Sequence, residues 1–366
     1  MTWLILGAAI PSLIVSLLAA YVVRRFAPRW GLIDRPGHRK VHTTPTPLGG
    51  GLAVFSGIVL PLACGSLLLL FMPANVPLPP LIAEHASGIL DRAPKLWFLV
   101  GGGLVLVILG LIDDRRGLDW RLRLAVQTAV ASALVWHWEG WRLSLYLIDH
   151  PWVTMPLSVL WIVALINSFN MLDNMDGLSA GVAAIAAMML VIVLLTTPDP
   201  VKQQPQLFVA GFLLVVSGSL IGFLWHNRPP ARLFMGDAGS YLVGYCLATS
   251  TSMATFTGGN LLPHTILAPL CILAVPLYDT ITVVSIRLRQ GRSPFEGDKN
   301  HFSHRLVELG MTKGQAVLTI YLVTATCGLG GLLLHQVDPA GAAVVLLQVA
   351  CMMAVIFVLE MTRRKK

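Results

Sequence analysis

The 366-residue chain is short of charge. Asp, Glu, Lys and Arg make up 12% of it, against 55% hydrophobic residues, where an average soluble domain carries about 25% charged residues. That scarcity excludes a disordered chain, a coiled coil and an ordinary cytosolic enzyme, and leaves a polytopic membrane protein. Cysteine is scarce too. Cys64, Cys246, Cys271, Cys327 and Cys351 fall in apolar runs without paired spacing, so no disulfide framework is expected and each reads as a small hydrophobe. No basic residue precedes the first apolar run, while Arg24 and Arg25 follow it. This reverses a secretory signal, and the run is expected to stay as a membrane helix. Walker A, nucleophile-elbow and H-E-x-x-H signatures are absent, as are internal repeats. The stretch 73–95, with Pro73, Pro77, Pro79 and Pro80, reads as an irregular loop.

What is present is a succession of long apolar runs. A spanning helix needs about 20 mostly apolar residues. Eleven candidates lie near 3–23, 48–72, 96–112, 124–137, 152–169, 177–196, 207–225, 240–256, 264–285, 316–334 and 341–360. The expected fold is a single all-α transmembrane domain over residues 1–366. An odd number of crossings puts the termini on opposite sides. The loops 24–47, 113–123, 170–176, 226–239 and 286–315, with the tail after 360, hold 22 of the 26 Lys and Arg. The positive-inside rule then sets the N-terminus outside and the C-terminus in the cytoplasm. The net charge of +8 would suggest nucleic acid on a soluble protein. Here topology accounts for it, and no nucleic-acid partner is expected.

The carboxylates gather on the same side, which that rule does not require. Asp34, Asp113, Asp114, Asp119, Asp173, Asp176, Asp237, Asp279, Glu296, Asp298 and Glu308 all fall there. One Asp would be explained by a neighbouring arginine or a helix cap. Several, in different loops beside hydrocarbon, point to a shared cation site.

Five motifs carry the chemistry, in loops 24–47, 113–123, 167–177, 226–240 and 286–315. In L-I-D-D-R-R, Asp113 and Asp114 would repel unless a cation holds them, and Mg²⁺ suits carboxylate oxygens plus substrate phosphates. In N-S-F-N-M-L-D-N-M-D-G, polar groups recur at Asn167, Asn170, Asp173 and Asp176. That stripe drifts round a helix by about 60° per step, so the four converge only in part, and Gly177 permits a break. In F-M-G-D-A-G-S, Ser240 is expected to cap a helix whose amides hold a phosphate oxygen while Asp237 holds the metal. In loop 286–315, His301, His304 and Arg305 form a donor cluster suited to a pyrophosphate. A histidine pair also binds transition metals, but no cysteine or third imidazole accompanies this one. In G-L-I-D-R-P-G-H-R-K-V-H, Asp34 sits within a dense basic segment. Oxygen ligands, phosphate donors and a lipid interface together suggest phosphoryl transfer from a soluble donor to a membrane-embedded acceptor.

These blocks resemble the polyprenyl-phosphate N-acetylhexosamine-1-phosphate transferases from about Gly31 to Arg305. The resemblance implies Mg²⁺ dependence, with Mn²⁺ as a substitute, a UDP-N-acetylhexosamine donor, and undecaprenyl phosphate as acceptor. It further implies release of UMP, multi-pass placement in the bacterial inner membrane with the site facing the cytoplasm, and a homodimer. The D-D-R-R sequence is more similar to the GlcNAc-1-phosphate branch than to the phospho-MurNAc-pentapeptide branch, which is the alternative. A cation-coupled transporter is the rival from another class, but the acids crowd one face instead of mid-depth. In the family's terms Asp237 is the metal ligand, with Asp113 and Asp114 beside the metal and lipid phosphate. Asp34 or Asp113 takes the acceptor proton. Asn170, Asp173 and Asp176 line the nucleotide site, Phe234 stacks on uracil, and His301, His304 and Arg305 neutralise the pyrophosphate. Two positions depart from the usual pattern. Asn174 and Met175 stand where the branch often has Gly-Ile, and Ser303 stands where the histidine cluster often has a further His.

Overall fold

A computed structural model describes residues 2–35, 45–71, 80–138, 140, 142–143, 150–197, 199, 204–256, 261–295, 297–298 and 300–362. The basic stretch 36–44, Glu296, Lys299 and the tail 363–366 lie outside the described residues. The helices are α1 (Thr2–Phe26), α2 (Gly50–Phe71), α3 (Pro80–Arg116), α4 (Trp120–His137), α5 (Pro151–Leu172), α6 (Leu178–Thr196) and α7 (Leu207–Asn227). There follow α8 (Gly236–Met253), α9 (Ala268–Ile272), α10 (Ala274–Arg289), α11 (Phe302–Glu308), α12 (Lys313–Leu333) and α13 (Pro339–Thr362). Strands β1 (Ile33–Asp34) and β2 (Thr46–Pro47) pair antiparallel, with Asp34 opposite Thr46. The chain is thus an all-α polytopic membrane protein.

Each of the eleven apolar runs is helical. Eight described helices are long and apolar enough to cross a membrane, or nine if α9 and α10 form one span. The others are α4, which carries Arg121 and Arg123, and α8, which is rich in hydroxyls. Two expectations need correction. Residues from Pro80 onward are helical, so α3 takes in much of the stretch read as a loop. Proline fits a first helical position, where its missing N–H has no partner to lose. The run 264–285 is broken, with α9 and α10 meeting at 69°. Pro276 cannot donate to the Ile272 carbonyl and its ring crowds that group, which opens the ladder around Leu273.

The core is central and the exterior apolar. Helices α6 and α7 are largely enclosed, whereas α1, α2 and α13 bury few of their residues. Leu18, Leu68, Phe71 and Val344 point outward, as lipid-facing side chains do. Helix α8 is buried from Ala238 to Ser252. Several of its hydroxyls bond back to the helix: Thr249 Oγ1 donates to the Tyr245 carbonyl at 2.7 Å and Ser252 Oγ to Ala248 at 3.0 Å.

Two close approaches fix where α8 begins. A Cβ at Gly110 of α3 would lie 2.2 Å from the Ala238 nitrogen, and one at Gly51 of α2 would lie 2.3 Å from the Gly239 nitrogen. Bare backbones therefore bring α2 and α3 onto the N-terminus of α8, one turn from Asp113 and Asp114. Gly110→Ala is expected to lower the unfolding temperature in detergent and abolish activity. Gly101→Ala on the same helix meets nothing within 4 Å and is expected to be neutral or stabilising by about 0.5–1 kcal/mol. Differential scanning fluorimetry of both checks the contrast.

Candidate active site

The five polar loops meet at one end of the bundle, around the N-terminus of α8. The β1–β2 ribbon docks first: the Phe234 N–H donates to the Pro47 carbonyl at 2.9 Å, and Gly50 and Gly51 return bonds to Phe234 and Met235. Asp34 is carried on this ribbon. Asp114 closes α8 from the α3 side, accepting from the Asp237 N–H at 2.8 Å and the Ala238 N–H at 3.4 Å. Asp173 accepts the Gly236 N–H. The α8 amides expected to hold a phosphate therefore hold the side-chain oxygens of Asp114 and Asp173. Ser240 lies inside α8 and does not cap it; the N-cap is Met235.

Asp113 and Asp237 make up the centre. Asp113 is 7% exposed. Its Oδ2 accepts from Arg123 Nη1 at 3.0 Å and from the Tyr241 hydroxyl at 2.8 Å, and its Oδ1 from the Leu118 N–H at 2.7 Å. Arg123 and Tyr241 were not singled out from sequence. Arg123 was hidden among four arginines of one loop, and Tyr241 lies one turn into an apolar helix. The Asp237 carboxylate is in hydrogen-bond contact with Asp113, so the two must share a proton or a cation.

The α5 stripe splits as its drift requires. Asn170 Nδ2 donates to Asp237 Oδ1 at 2.7 Å and to Ser240 Oγ at 3.1 Å. Its amide therefore clamps the central acid. Asn167 turns away to Gln127 Oε1 at 2.7 Å, tying α5 to α4. Asp173 caps the end of α5. Burial, followed by the Asp237 and Asp176 charges, pushes its carboxyl up to about 8, against the Gly236 N–H. Asp176 accepts the Ala231 N–H at 2.9 Å, and Gly177, at φ +76°, makes the break before α6.

Loop 286–315 folds over this end. Arg287 Nε and Nη2 grip both oxygens of Asp298 at 3.1 Å. Burial acts to raise the Asp298 carboxyl, but hydrogen bonds from Arg287 and Asn300 outweigh it and hold it below the usual range. Phe295 stacks on Trp120, with ring centroids 4.0 Å apart. His301 stands at the N-cap of α11, with His304 6.2 Å away between ring centroids. Arg305 Nη2 donates to Thr282 Oγ1 at 3.0 Å. The Ser303 hydroxyl donates to Asn174 Oδ1 at 2.5 Å. The two departures from the family pattern therefore touch each other, and they join the histidine loop to the α5–α6 turn. Among the described residues, no three His, Cys, Asp or Glu groups form a ready-made metal cage.

Residues 96–255 match the family model described as "Glycosyl transferase family 4". The chain is 33% identical to the "Decaprenyl-phosphate N-acetylglucosaminephosphotransferase" of Mycolicibacterium smegmatis, over 94% of this chain and 86% of that protein. It is 30% identical to the "Probable undecaprenyl-phosphate N-acetylglucosaminyl 1-phosphate transferase" of Bacillus subtilis, over 87% and 82%. The chain belongs to glycosyl transferase family 4. Another relative in this family, the "Undecaprenyl-phosphate alpha-N-acetylglucosaminyl 1-phosphate transferase" of Escherichia coli K12, is 29% identical over 84% of this chain and 78% of its own length. The matched region runs from α3 to just past the end of α8 and so contains Asp113, Asp114, Asp173 and Asp237.

If Asn174 and Ser303 act as one latch, Asn174→Ala and Ser303→Ala each lower turnover, and the double variant is no worse than the poorer single one. A double-mutant cycle on initial rates measures this coupling, which for touching residues is about 0.5–3 kcal/mol.

Proposed function

We propose that this transferase moves GlcNAc-1-phosphate from UDP-GlcNAc to undecaprenyl phosphate at the cytoplasmic face of the bacterial inner membrane. UMP leaves, and the lipid-pyrophosphate sugar starts a cell-envelope polysaccharide. Transfer of an N-acetylhexosamine-1-phosphate to a polyprenyl phosphate follows from the family. The branch is read from the relatives' names and from Arg115 and Arg116 after the paired acids. The observation that carries the reading to this chain is the acid cluster of Asp113, Asp114, Asp173 and Asp237 at one end of an apolar bundle. We also infer about eleven crossings with the N-terminus outside, on the 22-to-4 basic asymmetry.

The donor set suits Mg²⁺. This ion usually takes one or two carboxylates, several waters and substrate phosphates, so the Asp113–Asp237 contact suffices without a cage. Mg²⁺ supplies charge neutralisation for the diphosphate. Asp237 holds it, and Asn170 keeps Asp237 in place. Arg123 and Tyr241 hold Asp113 in place beside Asp237. A lipid-phosphate oxygen attacks the β-phosphorus in line, an O–P bond forms, and the bridging oxygen leaves with UMP. Asp34 or Asp113 takes any proton on the attacking phosphate. The histidine loop faces the donor's diphosphate, and Phe234 borders the base.

Protein in detergent, given UDP-GlcNAc, Mg²⁺ and undecaprenyl phosphate, is expected to release UMP and form a lipid product whose mass carries one GlcNAc-pyrophosphate. Absence of UMP with every UDP-N-acetylhexosamine offered would overturn the reading. Asp237→Asn is expected to abolish turnover. It should also remove most of the rise in unfolding temperature that Mg²⁺ gives the EDTA-treated protein, while leaving the metal-free unfolding temperature within a few degrees.

A further inference from the structure

A groove apart from the acid cluster runs between the end of α7 and the start of α12, with a volume of about 460 Å³. Small-molecule sites span roughly 300–1,000 Å³. Its walls are apolar. Ile221, Leu224 and Trp225 come from α7, and Val317, Leu318 and Tyr321 from α12. Ile221, Trp225 and Leu318 are exposed. Exposed apolar side chains on a spanning helix meet lipid, so the groove opens sideways into the bilayer. One wall is held from within: the Tyr321 hydroxyl donates to the Gly177 carbonyl at 2.5 Å, and a Cβ at Gly181 would lie 2.0 Å from that hydroxyl. Tyr321 is thereby seated against α6, and the wall is preformed.

The mouth is cationic. Arg228 stands at the C-cap of α7, with its Cζ 4.1 Å from the centre of the Trp225 ring. Stacking covers the face of a guanidinium and leaves its in-plane N–H donors at the edge, where they match phosphate oxygens. Tryptophan itself favours the headgroup level of a membrane. Among the described residues that line the groove, Arg228 is the charged one. The lining therefore offers a partner to an anion and none to an ammonium group. Lys313 adds a second positive charge next to the lining Gly314. An apolar slot below a cation fits an anionic amphiphile. A partner helix does not fit, because a helix with its side chains is about 10–12 Å across and would ride over the slot. The acceptor of the transfer fits less well than a bilayer lipid, because its phosphate has to reach Asp113 and Asp237, and neither lines this groove.

We propose that this groove binds an anionic phospholipid, with an acyl chain along Ile221, Leu224 and Leu318 and the headgroup phosphate on the Arg228 guanidinium. The site is separate from the transfer chemistry and does not rest on the transferase reading.

The test uses the full chain with p-benzoylphenylalanine in place of Leu318, in nanodiscs of phosphatidylcholine and phosphatidylglycerol at nine to one. After illumination the crosslinked lipid is identified by mass. Phosphatidylglycerol should be captured about fivefold above its share of the bilayer, the gain that one basic residue gives near an anionic surface. The same label in place of Leu18, an exposed residue of α1, should capture lipids in bulk proportion. Arg228→Gln should return the Leu318 position to bulk proportion, while Arg25→Gln, at the end of α1, should leave the enrichment intact. Bulk proportion at Leu318 in the parent, equal enrichment at Leu18, enrichment that survives Arg228→Gln, or an equal loss in Arg25→Gln would each overturn the proposal. So would displacement of phosphatidylglycerol by an equimolar amount of undecaprenyl phosphate, which would make the groove the acceptor's. If the parent protein releases no UMP, the transferase reading falls while the crosslink still decides the groove.

Discussion

The N-terminal amides of α8 are gripped by two carboxylates from other helices, Asp114 from α3 and Asp173 from the end of α5. Everything at the site is referred to that grip. It sets Asp237 one residue into α8, brings it against Asp113, and lets Asn170 clamp it from α5. Helix N-terminal amides have no partner within the helix, and the side-chain oxygens of these two acids supply one. The close packing at Gly51 and Gly110 is the steric half of the same contact, because no side chain fits between these helices.

The membrane explains why the acids are at the end of the bundle. Polar groups facing hydrocarbon must be satisfied within the protein, and in α8 Thr249, Thr251 and Ser252 bond back to their own helix. Carboxylates need stronger partners. They find them where helices end and free amides, arginines and water are available. Loop 286–315 then covers this end. Its grip is distributed over the Arg287–Asp298 fork, the Phe295–Trp120 stack, Asp279 and the Ser303–Asn174 bond.

Much of this was legible in the chain. Hydrophobic runs marked every long helix, because a helix in lipid must be apolar over its length. The acid motifs marked the site, because apolar runs have no other use for carboxylates. The α5 stripe was read as converging in part, and the structure sends Asn167 to α4 while Asn170 and Asp173 reach α8. What escaped was pairing. Arg123 reads as one of several topological arginines, and Asp279 as one more of the cytoplasmic acids, because their partners are distant in sequence. The α8 amides read as a phosphate site because nothing local shows that Asp114 and Asp173 already occupy them. The bend at Leu273 had its signal in Pro276, which was overlooked within a strongly apolar run.

The central claim is that Asp237 holds the divalent ion against the donor's phosphates. Pulsed EPR of Mn²⁺ bound to the detergent-solubilised protein with UDP-GlcNAc tests it most directly. The account predicts ³¹P coupling to the bound ion in the parent protein and loss of both bound Mn²⁺ and that coupling in Asp237→Asn. Equal Mn²⁺ affinity and equal ³¹P coupling in the two proteins would contradict it.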